Sequence, residues 1–314
     1  MAPCRSGRAA EEEVLPEPAR KTLLVHAGGE GFAGLAAGPA CFCCLSEGRS
    51  AQALLPSRVF SGTNMVMQWT DDALVLRIGK FRESDLWVRL LARERGLVTA
   101  FAFGGSRSRR RFTGCLDAFN RIRTSAVYSR DGRFLNLSEA VLLAGPERLR
   151  RDWRRQGMAA NCVRFLEAVG VPPDNAGACY ELACGMLELL EREERMPPVM
   201  PVLFRFRLAA EQGYVPDMQF CSRCGRTLFS EERVHFLVGE GAVCCSSCRR
   251  PGDMSLALGQ EALDVLGKVK EYSPESWGRL NPSPEGARQA ARLIDAFVRY
   301  HLGLEWSNGR FRSL

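Results

Sequence analysis

Histidine is scarce in this 314-residue sequence: His26, His235 and His301 are its only three. None has Glu two residues on, and neither Cys-x-x-Cys pair follows Pro, so the H-x-E and P-C-x-x-C pattern of zinc deaminases is absent. Long apolar runs are missing too. No stretch reaches the roughly 18 consecutive apolar residues of a membrane-crossing helix, so no membrane partner is expected. Gly79-Lys80 is followed by Phe81 and Gly267-Lys268 by Val269. Neither supplies the Ser or Thr that a phosphate loop places after its Lys, and nucleotide hydrolysis is not expected. Gly29-Glu30-Gly31-Phe32-Ala33-Gly34 fits G-x-G-x-x-G. However, Gly38, Pro39 and the cysteines Cys41, Cys43 and Cys44 follow where a dinucleotide site needs a helix. The acidic run Glu11-Glu12-Glu13 ahead of a short, broken apolar segment argues against a secretory signal.

Cysteine is plentiful, with thirteen in the chain. Phe220-Cys221-Ser222-Arg223-Cys224-Gly225 is answered about twenty residues later by Cys244-Cys245-Ser246-Ser247-Cys248. Two Cys-x-x-Cys pairs at this separation let two knuckles close a tetrahedral site with Zn–S distances of about 2.3 Å. One structural Zn2+ is therefore expected on Cys221, Cys224, Cys245 and Cys248, because four thiolates leave no open position for water or substrate. Only Cys245 completes the spacing with Cys248, and the adjacent Cys244 is the alternative third ligand. Between the pairs, Val234, Phe236 and Val238 alternate ahead of Gly239 and Gly241, which predicts a small hairpin. Thiols in metal spacing, with others such as Cys162, Cys179 and Cys184 on predicted helices, point to a reducing, cytosolic compartment.

Residues 1–66 are rich in Gly, Ala and Pro, show no sustained period and are expected to form a disordered leader. Five β-like runs follow in 67–144: Ala73 to Ile78, Leu86 to Leu91, Leu97 to Phe103, Phe119 to Tyr128 and Phe134 to Leu142. Asp131-Gly132 is a hairpin dipeptide between the last two. The spacing suits an OB-type barrel, with an SH3-like barrel as the alternative. From Gly145-Pro146 the period turns helical. One long amphipathic helix is predicted up to Gly170, then Tyr180 to Leu190, Val199 to Ala210, Leu258 to Val269, and Pro284 to Leu302 with Ser283 as N-cap. The expected class is α+β: a five-stranded barrel, then a helical domain over 145–314 with the zinc motif at 221–248 inserted in it.

The chain carries 43 Lys plus Arg against 36 Asp plus Glu, a net +7. Gly104-Gly105-Ser106-Arg107-Ser108-Arg109-Arg110-Arg111 has four arginines in five positions and no apolar side chain, so its charge faces solvent. Arg121 and Arg123 are expected on one face of the fourth run, and Lys80 and Arg82 follow the first. Arg148, Arg150, Arg151, Arg154 and Arg155 line the polar side of the first helix. Clustered like charge of this kind is neutralised by a polyanion with release of counterions. OB barrels add stacking aromatics, for which Phe81, Trp87, Phe112 and Phe119 are the candidates. A nucleic acid is the expected partner, held by Lys80, Arg82, Arg107, Arg109, Arg110, Arg111, Arg121 and Arg123.

Gly79 to Asp85, the Gly104 to Arg111 run, Phe119, the two cysteine pairs and Tyr300-His301-Leu302-Gly303 together resemble the bacterial RecO family of DNA repair proteins over about Met67 to Leu314. The resemblance implies an N-terminal OB-fold, a helical C-terminal domain and a four-cysteine zinc motif. It also implies a recombination mediator of the RecF pathway, without enzymatic activity. Such a mediator binds DNA, anneals complementary strands, engages SSB and helps RecR load RecA, in the cytoplasm at the nucleoid. Family members begin a few residues before the first strand, so Met65 or Met67 is an expected start. Two other classes compete with this reading: a zinc-dependent nucleic-acid-processing enzyme, which needs an open metal, and a zinc-ribbon scaffold that binds only proteins.

Overall fold

The computed structural model describes residues 68–215, 217–229 and 233–314. The expected leader, the Gly29–Gly34 motif and the alternative starts at Met65 and Met67 lie outside the described residues.

Five strands form a closed barrel: β1 (Gln68–Lys80), β2 (Leu86–Ala92), β3 (Gly96–Ala102), β4 (Arg121–Tyr128) and β5 (Leu135–Ala144). Their order is β1-β2-β3-β5-β4, closed by β1 against β4. All neighbours are antiparallel except β3 and β5, which meet in parallel at Ala100↔Leu135 and Phe101↔Asn136. The long β1 serves two partners, with Gln68 to Leu74 on β4 and Ala73 to Lys80 on β2. This explains its continuous apolar run. Ala73 and Val75 point into the barrel core with Val88, Leu90 and Ile122, whereas Leu74 and Leu76 point outward into the core of the helices. Alternation on a strand buried on both faces produces both sets from one unbroken stretch.

The helical part contains α1 (Arg148–Arg151), α2 (Trp153–Val169), α3 (Ala176–Arg192), α4 (Met200–Glu211), α5 (Gln260–Glu271) and α6 (Pro284–His301). Where one long helix is predicted after Pro146, the chain breaks at Asp152. Its carboxylate accepts hydrogen bonds from the N–H groups of Arg154 at 2.9 Å and Arg155 at 3.5 Å, an N-cap that starts α2 afresh. The start of α1 is capped from a distance. Glu191 of α3 accepts from the N–H groups of Glu147, Arg148 and Leu149 at 3.1, 2.8 and 2.9 Å. Ser283 caps α6 as expected, accepting from Gly286 N–H at 3.1 Å.

Two small sheets accompany the helices. The predicted hairpin is β6 (Arg233–Leu237) with β7 (Ala242–Cys245), and β8 (Ser255–Gly259), read as the start of a helix, pairs with the other side of β6. After α6, β9 (Leu304–Ser307) and β10 (Arg310–Ser313) form a hairpin through Asn308-Gly309, both at positive φ, the conformation a two-residue turn demands. Arg205 fastens this hairpin to the bundle: its guanidinium lies 4.9 Å from the Phe311 ring and 5.9 Å from that of Trp306, and it bonds Asp295 and Asn161.

Candidate nucleic-acid interface and metal centre

The loop joining β3 to β4 carries the arginine run. Arg109 and Arg110 are exposed and have no hydrogen-bond or ionic partner among the described residues. Arg107 stands 3.9 Å from Glu83, with both side chains mostly in solvent (75% and 90% exposed), so water screens the pair. Arg111 differs. It donates to the Phe103 carbonyl at 2.5 Å and lies 4.9 Å from the Phe112 ring, which braces the loop instead of offering its charge outward. Further anchors are Gly104 N–H on the Asp85 carboxylate at 2.7 Å and Ser106 N–H on the Ser84 carbonyl at 3.1 Å. The β1–β2 turn and the arginine loop are thereby one surface. Lys80 is exposed on that turn, and the Arg82 guanidinium sits 5.3 Å from the Phe81 ring.

The other expected cations are engaged inside the chain. Arg121 is half-buried and pairs with Glu188 of α3 at 2.6 Å, so it joins barrel to helices. Arg123 makes a bidentate pair with Asp72 at 2.7 and 3.1 Å, which holds Asp72 below the usual carboxylate range. Arg121 is thereby turned to α3, whereas the Arg123 side chain stays 59% exposed despite its pair. The helix arginines divide similarly. Arg155 is buried and donates to the carbonyls of Leu190 and Glu194, while Arg150 bonds Asp117, Ala118 and Asn120. Arg151 and Arg154 remain exposed.

Among the aromatic candidates, Phe112 is buried in the barrel core, and Phe119, at φ 69°, packs against the helical core. Phe81 is exposed, and Trp87 lies opposite Phe101 on the outer side of β2 and β3. The sequence reading missed Phe101, Phe103 and Phe134. The period-2 alternation of Thr99, Phe101 and Phe103 was the available signal, since it turns all three away from the buried Ala100 and Ala102.

The second site forms where two knuckles meet. In the first, Cys221 N–H bonds the Arg226 carbonyl at 2.8 Å and Gly225 N–H the Cys221 carbonyl at 2.9 Å. Gly225 has φ +70°, a conformation that side chains resist. Ser222 N–H, bonded to the Val243 carbonyl at 2.9 Å, lays this knuckle against β7. The sulfurs of Cys221, Cys224, Cys245 and Cys248 all lie within 4.8 Å of one another, and those of Cys224 and Cys245 are 3.9 Å apart. Tetrahedral coordination at a Zn–S distance of about 2.3 Å places sulfurs about 3.8 Å apart. The donor set and its spacing fit a metal ion. Cys244 opposes His235 across the β6–β7 ladder while Cys245 opposes Val234, so alternation turns Cys244 to the other face of β7 from Cys245, and the four-sulfur cluster does not include it.

The electrostatics favour thiolate at Cys221, whereas the neighbouring sulfurs of Cys245 and Cys224 push the Cys248 thiol up to about 12. Burial opposes ionisation of Cys221, but the N–H groups of Cys245, Arg223 and Cys224 outweigh it and pull the thiol down to about 6. Arg223, inside the first knuckle, clamps the second: it donates to the Cys248 carbonyl at 2.7 Å, to Asp253 at 2.7 and 3.1 Å, and to Glu240 at 2.6 Å. These bonds hold the Asp253 carboxyl at about 2.

The family model described as "Recombination protein O N terminal" matches residues 65–145, and "Recombination protein O C terminal" matches 150–309. The chain belongs to the RecO family. It is 49% identical over 251 residues to a DNA repair protein RecO of Nitratidesulfovibrio vulgaris, covering 79% of this chain and 100% of the relative. A DNA repair protein RecO of Oleidesulfovibrio alaskensis is 50% identical over 248 residues, covering 79% and 100%. One from Lawsonia intracellularis is 44% identical over 248 residues, covering 78% and 99%. The matching models and relatives are named for recombination and DNA repair, which supports a role as a recombination mediator. No helix among the described residues is long and apolar enough to cross a membrane.

Proposed function

We propose that this chain is a recombination mediator of the RecF pathway. It binds single- and double-stranded DNA, anneals complementary strands in the cytoplasm, and acts with RecR to help load RecA onto SSB-coated single strands. The observation that carries this reading is the free charge of Arg107, Arg109 and Arg110 on a braced loop of an OB barrel. Arg109 and Arg110 have no partner among the described residues and Arg107 has only a solvent-screened one, which favours a polyanion, and contacts to phosphate position a strand without reading its sequence. Lys80 and Arg82 extend the same surface. Arg121 and Arg123 support it from behind by holding the barrel in place. The four-cysteine cluster is assigned one Zn2+, which ties the two knuckles and contributes binding energy to folding. The test is annealing of SSB-coated complementary oligonucleotides with Arg107, Arg109 and Arg110 intact or replaced by Ala. Loss of annealing in the variant, with folding unchanged, is expected. Equal annealing rates would overturn the assignment of the loop.

A further inference from the structure

The outer end of the barrel carries a cluster of phenylalanines with nothing over it among the described residues. Phe81, Phe103 and Phe134 are 48%, 42% and 51% exposed, and all three surround Phe101. Their ring centroids lie 4.9 Å (Phe81), 6.4 Å (Phe103) and 5.7 Å (Phe134) from that of Phe101. They come from three separate segments: the β1–β2 turn, the end of β3 and the residue before β5. Contiguous exposed aromatic surface of this kind marks an interaction site. It is not needed for packing, because the barrel interior is already filled by Ala73, Val75, Val88, Leu90 and Ile122.

Charge identifies the occupant. Arg82 lies against Phe81, Arg111 donates to the Phe103 carbonyl, and Phe134 follows the exposed Arg133. A guanidinium thus lies against the Phe81 ring, and the unpaired Arg109 and Arg110 stand in the loop that Phe103 leads into. An apolar protein surface would not call for a basic loop beside the rings, whereas a single nucleic-acid strand offers flat bases on a backbone of phosphates. The β2–β3 face and the β1–β2 and β4–β5 loops are also where OB barrels take oligonucleotides.

Building on the DNA-binding reading above, we propose that Phe81, Phe101, Phe103 and Phe134 form a stacking platform for unpaired bases, and that this platform makes the site prefer single strands. In a duplex the base faces are covered by their neighbours, so only the arginines can engage it. A single strand presents both phosphates and free π faces, and each stacked base is held about 5- to 140-fold more tightly than the arginines alone would hold it. The salt slope reports the arginines, and the difference between a base-bearing and an abasic strand reports the phenylalanines.

The test is fluorescence anisotropy of the full chain with three probes: oligo-dT, an abasic oligonucleotide of equal length, and a duplex. Phe81→Ala with Phe134→Ala removes two exposed rings. Phe81→Leu with Phe134→Leu keeps apolar area but removes the π faces, and its thermal melting should match that of the parent. For both variants oligo-dT affinity should fall about tenfold or more, while abasic and duplex affinities stay within about twofold and the salt slope is unchanged. Two results overturn the platform: oligo-dT affinity that survives both substitutions, which would assign the patch to a protein partner, or a parent chain that binds oligo-dT and abasic strand equally. A parent that binds none of the probes would overturn the DNA-binding reading itself.

Discussion

Replacing Arg107, Arg109 and Arg110 with Ala should lower the salt slope of single-strand binding by about 2, at about 0.7 per phosphate contact. Arg111 is left out of this sum because its guanidinium is committed to the Phe103 carbonyl and the Phe112 ring. Across a fourfold change in salt, three lost contacts correspond to a factor of about 18. Raising salt from about 50 to 200 mM should therefore weaken the parent about 18-fold more than the triple variant. Fold stability should move by no more than roughly 0.5 kcal/mol per substitution, since none of the three supports a buried contact. Arg111→Ala alone should behave in the opposite way, with little change in slope and a loosened loop. The assay is anisotropy titration of one labelled oligonucleotide over a salt series, with melting curves alongside. If the triple variant kept its slope, the phosphates would have to run elsewhere, with the exposed Arg151 and Arg154 as the next candidates.

Metal analysis of the purified chain should find about one zinc. Cys224→Ser or Cys248→Ser should lose it and loosen the helical part, whereas Cys244→Ser should retain it; loss of zinc on Cys244→Ser would show that the third ligand is misassigned. Asp152→Ala should cost about 1 kcal/mol in urea unfolding by removing the α2 N-cap, and no change would mean that the break between α1 and α2 is not held by that carboxylate. Glu191 is pushed up by burial, but the N–H groups of Leu149, Arg148 and Glu147 outweigh this and leave its carboxyl below the usual range. The charged form is thus the stabilising one. The stability gap between parent and Glu191→Gln should be full above about pH 4.3 and close as pH falls through the lower folded value. A gap that widened in acid would contradict the capping role.

The barrel was legible because each strand begins and ends near the residues its alternation suggested, and the closing of β1 onto two partners only lengthened the first of them. The cysteine spacing likewise placed four sulfurs that the fold brings together. What escaped the sequence depended on pairing at a distance. Arg121 and Arg123 look like any exposed strand cations until Glu188 and Asp72 are opposite them, and Arg155 reads as surface until the C-terminal carbonyls of α3 meet it. Asp152 is a good cap, but the pattern of Leu149 and Trp153 ran across it without interruption. The strand β8 was hidden because its end at Leu258 and Gly259 ran into the predicted helix from Leu258, and the C-terminal hairpin was overlooked although Asn308-Gly309 announces it.

Leu74, Leu76 and Leu91 belong to barrel strands yet are buried in the helical core. A barrel cut away after Ala144 would leave three leucine side chains bare, at about 1.5–3 kcal/mol each. That is comparable with the whole stability of a typical domain. The two regions are therefore expected to melt as one, with a single transition and shared protection of their deepest amides. The same leucines remove the freedom to swivel: a strand gripped at the barrel's outer end is presented to whatever docks on the helices at a fixed angle, as a tool set in its handle.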